Sequence, residues 1–367
     1  CVWEFQEIFY LTSMSHPNRE IIERIITAAH EAPSGDNMRP WKFQVSGDRI
    51  EISFEEKEFM DNIVYSIAPI LPGNMISLGA LVENIGIAAS AERLHIEIES
   101  VSDAGAVTAR LRLVDSGRAV DPFVPILSIR RTDRRPFRQD PLESEALAKA
   151  ESWAKLFGGR IVWVEGSAER RRFAGLAESF ERVLWHNPIL RRYISSSFRF
   201  GSDAKEGITL AHMGLGWRRF FFPAFFGLTR YIPMLFVFMG LFSGWNMKAL
   251  IRKSAAVGAL ILEKPCEQRL TYFDGGRALE RLWLSLNADG IALQPIYGLA
   301  GIVLNQRLKV GGFSGKETVW QEDSVHELQE LFPGLEHGTP VIFFRVGRSV
   351  SPPLPSVPHR PPYILWN

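Results

Sequence analysis

Two stretches carry residue types that could hold a small charged ligand. The first, Ala32-Pro-Ser-Gly-Asp-Asn-Met-Arg-Pro-Trp41, mixes turn formers with short hydroxyl and amide side chains. Pro33 and Gly35 turn the chain sharply, which presents successive backbone N–H groups and the Ser34 and Asn37 side chains on a stiff loop. Such a loop suits a planar heterocycle with hydrogen-bonding edges; the simpler reading is a helix stop with Asn37 as a local cap. The second stretch, Ile129-Arg-Arg-Thr-Asp-Arg-Arg-Pro-Phe137, sets four guanidinium groups within six residues around the Thr132 hydroxyl. Arg130, Arg131, Arg134 and Arg135 could grip a phosphate with paired hydrogen bonds. The simpler reading there is a solvated basic turn.

The elements that must position these stretches are legible from periodicity. Ile21, Ile22, Ile25, Ile26 and Ala29 predict an amphipathic helix over Ser15 to Glu31, stopped at Ala32-Pro33. Trp41 to Ser46 and Arg49 to Phe54 alternate about Gly47-Asp48 and predict a hairpin. A helical period returns over 75–93, followed by a strand pair at His95 to Val101 and Ala106 to Val114. The same grammar reopens after Pro122, with a helix at 142–157, a strand at 160–164 and a later helix at 275–289. We therefore expect two halves, 14–118 and 119–367, the folded unit beginning near Met14. Aligning Gly79–Leu94 on Gly276–Ile291 keeps three identities in sixteen positions and the apolar stripe, a match that duplication or two ordinary core helices would equally give.

Phe220 to Trp245 differs from its surroundings. Its one charge in 26 positions is Arg230, and Pro223, Gly227, Pro233, Gly240 and Gly244 break it into short apolar pieces. Within an insert at 215–247, this segment reads as a buried helical hairpin or a lid over an apolar pocket, with membrane-surface insertion as the alternative. The tail 351–367 holds six prolines and ends Tyr363-Ile-Leu-Trp-Asn, which predicts an extended segment laid across the other half.

The first stretch, with its preceding helix, resembles the Ala-Pro-Ser-x-x-Asn-x-Gln-Pro-Trp signature of the FMN-dependent nitroreductase superfamily, with Arg39 in place of Gln. The second is similar to that family's Arg-Arg-Ser-x-Arg-x-Phe segment. Gly290-Ile-Ala-Leu-Gln-Pro-Ile-Tyr-Gly298 resembles its Gly-Leu-x-x-x-Pro segment, and Arg345-Val-Gly-Arg348 with Pro358-His-Arg-Pro361 resembles its C-terminal strand and basic tail. The resemblance implies an α+β nitroreductase-like fold, with central antiparallel or mixed sheets flanked by helices. It implies FMN held by Pro33, Ser34, Gly35 and Asn37 together with Arg130, Arg131, Thr132 and Arg134. Pro295, Ile296 and Tyr297 would lie against the ring, and Arg360 would reach the phosphate. Family members are dimers whose flavins lie between subunits. Here Thr12 to Arg19 lacks the Arg pair and the second half lacks the Pro-Ser-x-x-Asn loop, so the expectation is two fused halves forming a pseudo-dimer with one competent site, like the tandem, Acg-like branch. NAD(P)H would be the electron donor and a nitroaromatic or quinone the small-molecule acceptor; the alternative is a flavin-binding or flavin-sequestering protein with a covered site. A monomeric pseudo-dimer and a further homo-oligomer both stay open.

Bulk properties agree with a globular chain and exclude other classes. With 367 residues, 46% hydrophobic and 23% charged, the chain can bury a large core. Its 42 basic and 41 acidic residues give a net charge of +1 and no reason to expect a nucleic-acid partner. Two cysteines, Cys1 and Cys266, offer neither a disulfide framework nor zinc spacing, and no P-loop, GxSxG elbow or strand-associated GxGxxG occurs. The expected location is cytoplasmic, with peripheral contact to the inner membrane as the alternative. His30 is expected to be structural, and His212 is a candidate for facing a pocket.

Overall fold

The computed structural model describes residues 17–54, 70–102, 108–201, 205–209, 220–229, 231–232, 234–350 and 360–367. The expected start near Met14, and His212, Pro358 and His359, lie outside them. The first helix, α1 (Arg19–Ala29), starts later than its periodicity suggested because Asn18 caps it, accepting from Ile21 N–H at 2.9 Å. It buries Ile22, Ile25, Ile26 and Ala29. The hairpin β1 (Trp41–Ser46) and β2 (Arg49–Phe54) falls where alternation placed it, turning on Gly47 at φ 60°. Next come α2 (Ile70–Ala91), β3 (Leu94–Ser102) and β4 (Thr108–Asp115). The sheet runs β1-β2-β4-β3 with every pair antiparallel.

The second half uses α3 (Ser144–Lys155), β5 (Gly159–Val164), β8 (Ala256–Leu262), α8 (Leu270–Ala288), β9 (Ala292–Ile296) and β10 (Thr339–Gly347). Its sheet runs β5-β8-β10-β9, again wholly antiparallel. Taken in chain order, this is the strand arrangement of the first half. Two excursions interrupt it. Between β5 and β8 lie α4 (Ser167–His186), α5 (Pro188–Ser197), the short parallel pair β6 (Phe198–Arg199) and β7 (Ile208–Thr209), α6 (Phe222–Leu228) and α7 (Leu235–Arg252). Between β9 and β10 lie α9 (Tyr297–Arg307) and α10 (Lys316–Leu331). The tail returns as β11 (Ile364–Trp366), which adds in parallel to β1 at the edge of the first half's sheet. Its prolines precede the paired residues, so no ladder hydrogen bond is lost to them.

The central helices α2 and α8 cross where neither carries a side chain. A Cβ on Gly79 would lie 2.0 Å from the Phe273 carbonyl oxygen, and one on Gly276 would lie 2.0 Å from that of Ile76. The contact is reciprocal: 276 less 79 and 273 less 76 both equal 197. Glu83 and Glu280 are also related by this offset and face the opposite helix in different company. Glu83 binds Arg277 at 2.8 Å and Arg281 at 2.6 Å, whereas Glu280 has Asn84 in the place equivalent to Arg281. Arg130 supplies the missing charge, its Nε 3.3 Å from the Glu280 carboxylate.

Candidate functional site

The loop after α1 folds as a single tight turn over Gly35–Asn37. Asp36, Asn37 and Arg39 all take positive φ, at 49°, 59° and 48°. A non-glycine side chain in that region costs energy, so the conformation has to be held from outside. Ser34 Oγ accepts from Arg39 N–H at 3.0 Å, and Asn37 C=O accepts from Gly207 N–H at 3.1 Å. Asp36 is clasped by α5, with Ser197 Oγ donating to its carboxylate at 2.8 Å and the Tyr193 hydroxyl donating as well. Burial raises the Asp36 carboxyl above the ordinary range, while these two donors and the nearby Arg134 pull it back. Arg39 turns inward, its Nη2 3.4 Å from Glu31, and burial brings it down to about 10. It therefore braces the loop from behind.

The arginine-rich segment divides into two roles. Arg130 is buried: it pairs with Glu280, lies over the Trp283 ring at 4.6 Å and donates to the Glu31 carbonyl at the end of α1. Its guanidinium is thus a tie between the halves, with Nε and Nη2 engaged. Thr132 pairs in parallel with Leu293, and Asp133 N–H donates to the Leu293 carbonyl at 3.1 Å, so the segment runs alongside β9. Asp133 forms an ion pair with Arg135 at 2.6 Å. Arg131 and Arg134 are both lowered by burial; Arg135 repels the first, while Asp36 and Asp133 attract the second.

A further arginine, Arg345 of β10, enters this cluster from below. Its Nε donates to Gln294 Oε1 at 2.6 Å and its Nη2 to the Arg135 carbonyl at 2.8 Å, while its plane stacks on Phe137 at 4.0 Å. Burial drives it down to about 9, and the charge of Arg134 adds to the effect. Its Nη1 has no hydrogen-bond partner among the described residues.

Pro295 and Ile296 close β9, an edge strand, where the missing proline N–H costs no inner ladder bond. Tyr297 opens α9, and a Cβ on Gly73 in α2 would lie 3.6 Å from its hydroxyl. Tyr193 is raised well above its usual value, first by the Asp36 charge and also by Tyr297, so the two phenols share the site. Arg360 is exposed, 3.5 Å from Glu206, whose neighbour Gly207 donates to Asn37. The fold brings Asp36 of the Pro33–Asn37 loop within electrostatic reach of Arg134, and Tyr193 within reach of both Asp36 and Tyr297, while Thr132 runs beside β9 ahead of Pro295 and Ile296 and Arg131 lies beside Arg135 and Asp133. Sequence reading missed Tyr193 and Ser197; their spacing puts both on one face of α5, but nothing in the sequence says which loop that face meets. His30 accepts from Trp41 Nε1 at 2.8 Å, a buried structural contact.

No family model matches the sequence, and no curated protein matches it. Solved structures similar to it include the FMN-dependent nitroreductase NfnB of Mycobacterium smegmatis in complex with NADPH, at 18% identity and a TM-score of 0.34, covering 61% of this chain and 86% of that one. A nitroreductase with bound FMN from Bacteroides fragilis overlaps at 12% identity and a TM-score of 0.35, covering 64% of this chain and 91% of that one. Iodotyrosine deiodinase bound to FMN and 3-iodo-L-tyrosine overlaps at 14% identity and a TM-score of 0.35, covering 65% and 95%.

Proposed function

We propose that the chain binds FMN between the Pro33–Asn37 loop and the Arg131–Phe137 segment, as an FMN-dependent oxidoreductase of nitroreductase type. One observation carries this reading. Arg345 Nη1 is buried with no hydrogen-bond partner among the described residues, beside the enclosed guanidinium of Arg134. A desolvated donor next to a second guanidinium suits a phosphate dianion. Arg131 and Arg134 would hold the phosphate, backed by Arg345, while the Ser34 and Thr132 hydroxyls can donate to a neighbouring polar chain. Pro295, Ile296 and Tyr297 would bound the ring.

Flavin, when bound, supplies hydride transfer between NAD(P)H and a small organic acceptor such as a nitroaromatic or quinone. The chain's own task is binding, orientation and exclusion of water. Tyr193 donates its single hydroxyl proton to Asp36, which fixes its ring against the loop, and Tyr297 keeps its proton at neutral pH. The reciprocal Gly79 and Gly276 contact and the shared strand order support a pseudo-dimer made by duplication of a half. A second reading, a flavin-binding protein without turnover, is favoured by the Asp36 clasp, because α5 then covers the loop.

Absorbance of purified protein tests binding: flavin bands that disappear in both Asn37→Ala and Arg134→Ala support the shared site, and bands unchanged in both refute it. NAD(P)H oxidation with a quinone or nitroaromatic then separates the two readings, since bound flavin without turnover selects the second.

A further inference from the structure

We propose that the outer faces of α6 and α7 dock on an anionic lipid membrane, lying in its surface without crossing it. This stands apart from the flavin reading. The inner face of α7 is committed to α4: a Cβ on Gly240 would meet Arg182 Cα at 3.3 Å, and one on Gly244 the Glu178 carbonyl at 2.9 Å. So close a crossing fixes which side of α7 looks outward. That outer side carries Met234, Val237, Phe238 and Trp245, between 47% and 67% exposed, at the spacing of one helical stripe. Leu228 at the end of α6 and Tyr231 after it extend the stripe, at 49% and 78% exposed. Apolar side chains gathered this way mark an interaction surface, unlike singly scattered ones.

Charge identifies the occupant. From 207 to 262 the sequence contains no Asp or Glu and six Lys or Arg: Arg218, Arg219, Arg230, Lys248, Arg252 and Lys253. Arg252 and Lys253 are exposed at the C-terminal end of α7, bordering the stripe. Lys248 is already answered by Glu178 at 2.6 Å, so Arg252 and Lys253 are the exposed charges that border the stripe, and a two-fold contact with a second copy would bring like charge to like charge. An anionic headgroup layer answers this positive charge, while the apolar stripe enters the acyl boundary. No described helix is long and apolar enough to cross a membrane, which leaves a surface-lying arrangement.

Co-sedimentation of the full chain with phosphatidylcholine vesicles, and with vesicles of phosphatidylcholine mixed with phosphatidylglycerol, tests this. Binding to the mixed vesicles should be at least about tenfold tighter, and should weaken as salt is raised. Phe238→Glu and Trp245→Glu should each abolish it with an unchanged melting temperature, Arg252→Glu combined with Lys253→Glu should remove the preference for the anionic lipid, and Val319→Glu, at an exposed apolar site on α10, should change nothing. Failure to sediment at low salt, equal binding to both vesicles, or indifference to Phe238→Glu and Trp245→Glu would overturn the proposal. So would self-association that Phe238→Glu disperses in a chain that binds no vesicles, which would make a second copy the occupant.

Discussion

Arg130 and Arg134 belong to one short segment and do different work. Arg130 faces the buried Glu280, whose carboxyl burial raises to about 7, and donates to the Glu31 carbonyl, so Arg130→Ala removes both contacts and should cost about 3 kcal/mol, read as a fall in the denaturation midpoint. Arg134 faces Asp36 across the site, and Arg134→Ala should leave the midpoint nearly in place while weakening flavin binding about tenfold or more, measured by fluorescence titration. Reversal of that pattern would exchange the two roles. Glu181 makes a prediction in pH. Burial beside α7 raises its carboxyl from 4.5 to about 7, with the Ser243 hydroxyl pulling it back. Below pH 4.5 the folded and unfolded chains both hold the proton and no cost arises. As pH climbs from 4.5 to about 7 the unfolded chain releases it first, so folding loses stability, and above that window the loss is constant. Glu181→Gln should therefore remove about 3 kcal/mol of decline across this range in urea titrations, and an unaltered slope would count against a buried Glu181.

At the scale of elements, the crossing of α2 and α8 is the tightest constraint. Gly79→Ala and Gly276→Ala each force a methyl group onto a carbonyl oxygen of the opposite helix, and neither backbone can retreat without moving a sheet. Each change should cost about 3 kcal/mol, and by nearly equal amounts because the contact is reciprocal; thermal melts of the two variants check both statements. The charges around the same crossing are not reciprocal. Where the second half offers Arg281 to Glu83, the first offers Asn84 to Glu280, and Arg130 is recruited instead. Its Nε and Nη2 are taken by that contact and by the Glu31 carbonyl, which is the physical reason the arginine run splits. The excursion between β5 and β8 shows the same economy: Phe180 of α4 occupies the space left by Gly298, so its helices brace the start of α9 on one side while exposing the apolar stripe of α7 on the other.

For the whole molecule, the two halves contribute unequally to one locus. The first half gives the loop and Gly73, the second gives the arginines, β9 and Tyr297, and the tail strand β11 lies on the first half's sheet. Only one such combination of loop and arginine segment exists in the sequence, so a flavin-saturated preparation should hold one flavin per chain by absorbance. A ratio of two would mean that the other inter-half position is also competent.

Local chemistry was readable without the fold. The β1-β2 hairpin, α1, α3 and β5 follow from alternation, helical period, and turn residues, because each is set by its own side chains and its own burial pattern. The loop and arginine segments were conspicuous for the same reason, since their residue types are unusual wherever they lie. What the sequence left open was partnership. Arg130 pairs with Glu280, which is far away in the chain, and Tyr193 reaches Asp36 only because the excursion between β5 and β8 folds back across the loop. Gly79–Leu94 and Gly276–Ile291 share three identities in sixteen positions, and the sequence does not say that the two glycines meet each other's helices at one offset. Those pairings depend on distances through space between residues remote in sequence, which periodicity and composition do not encode.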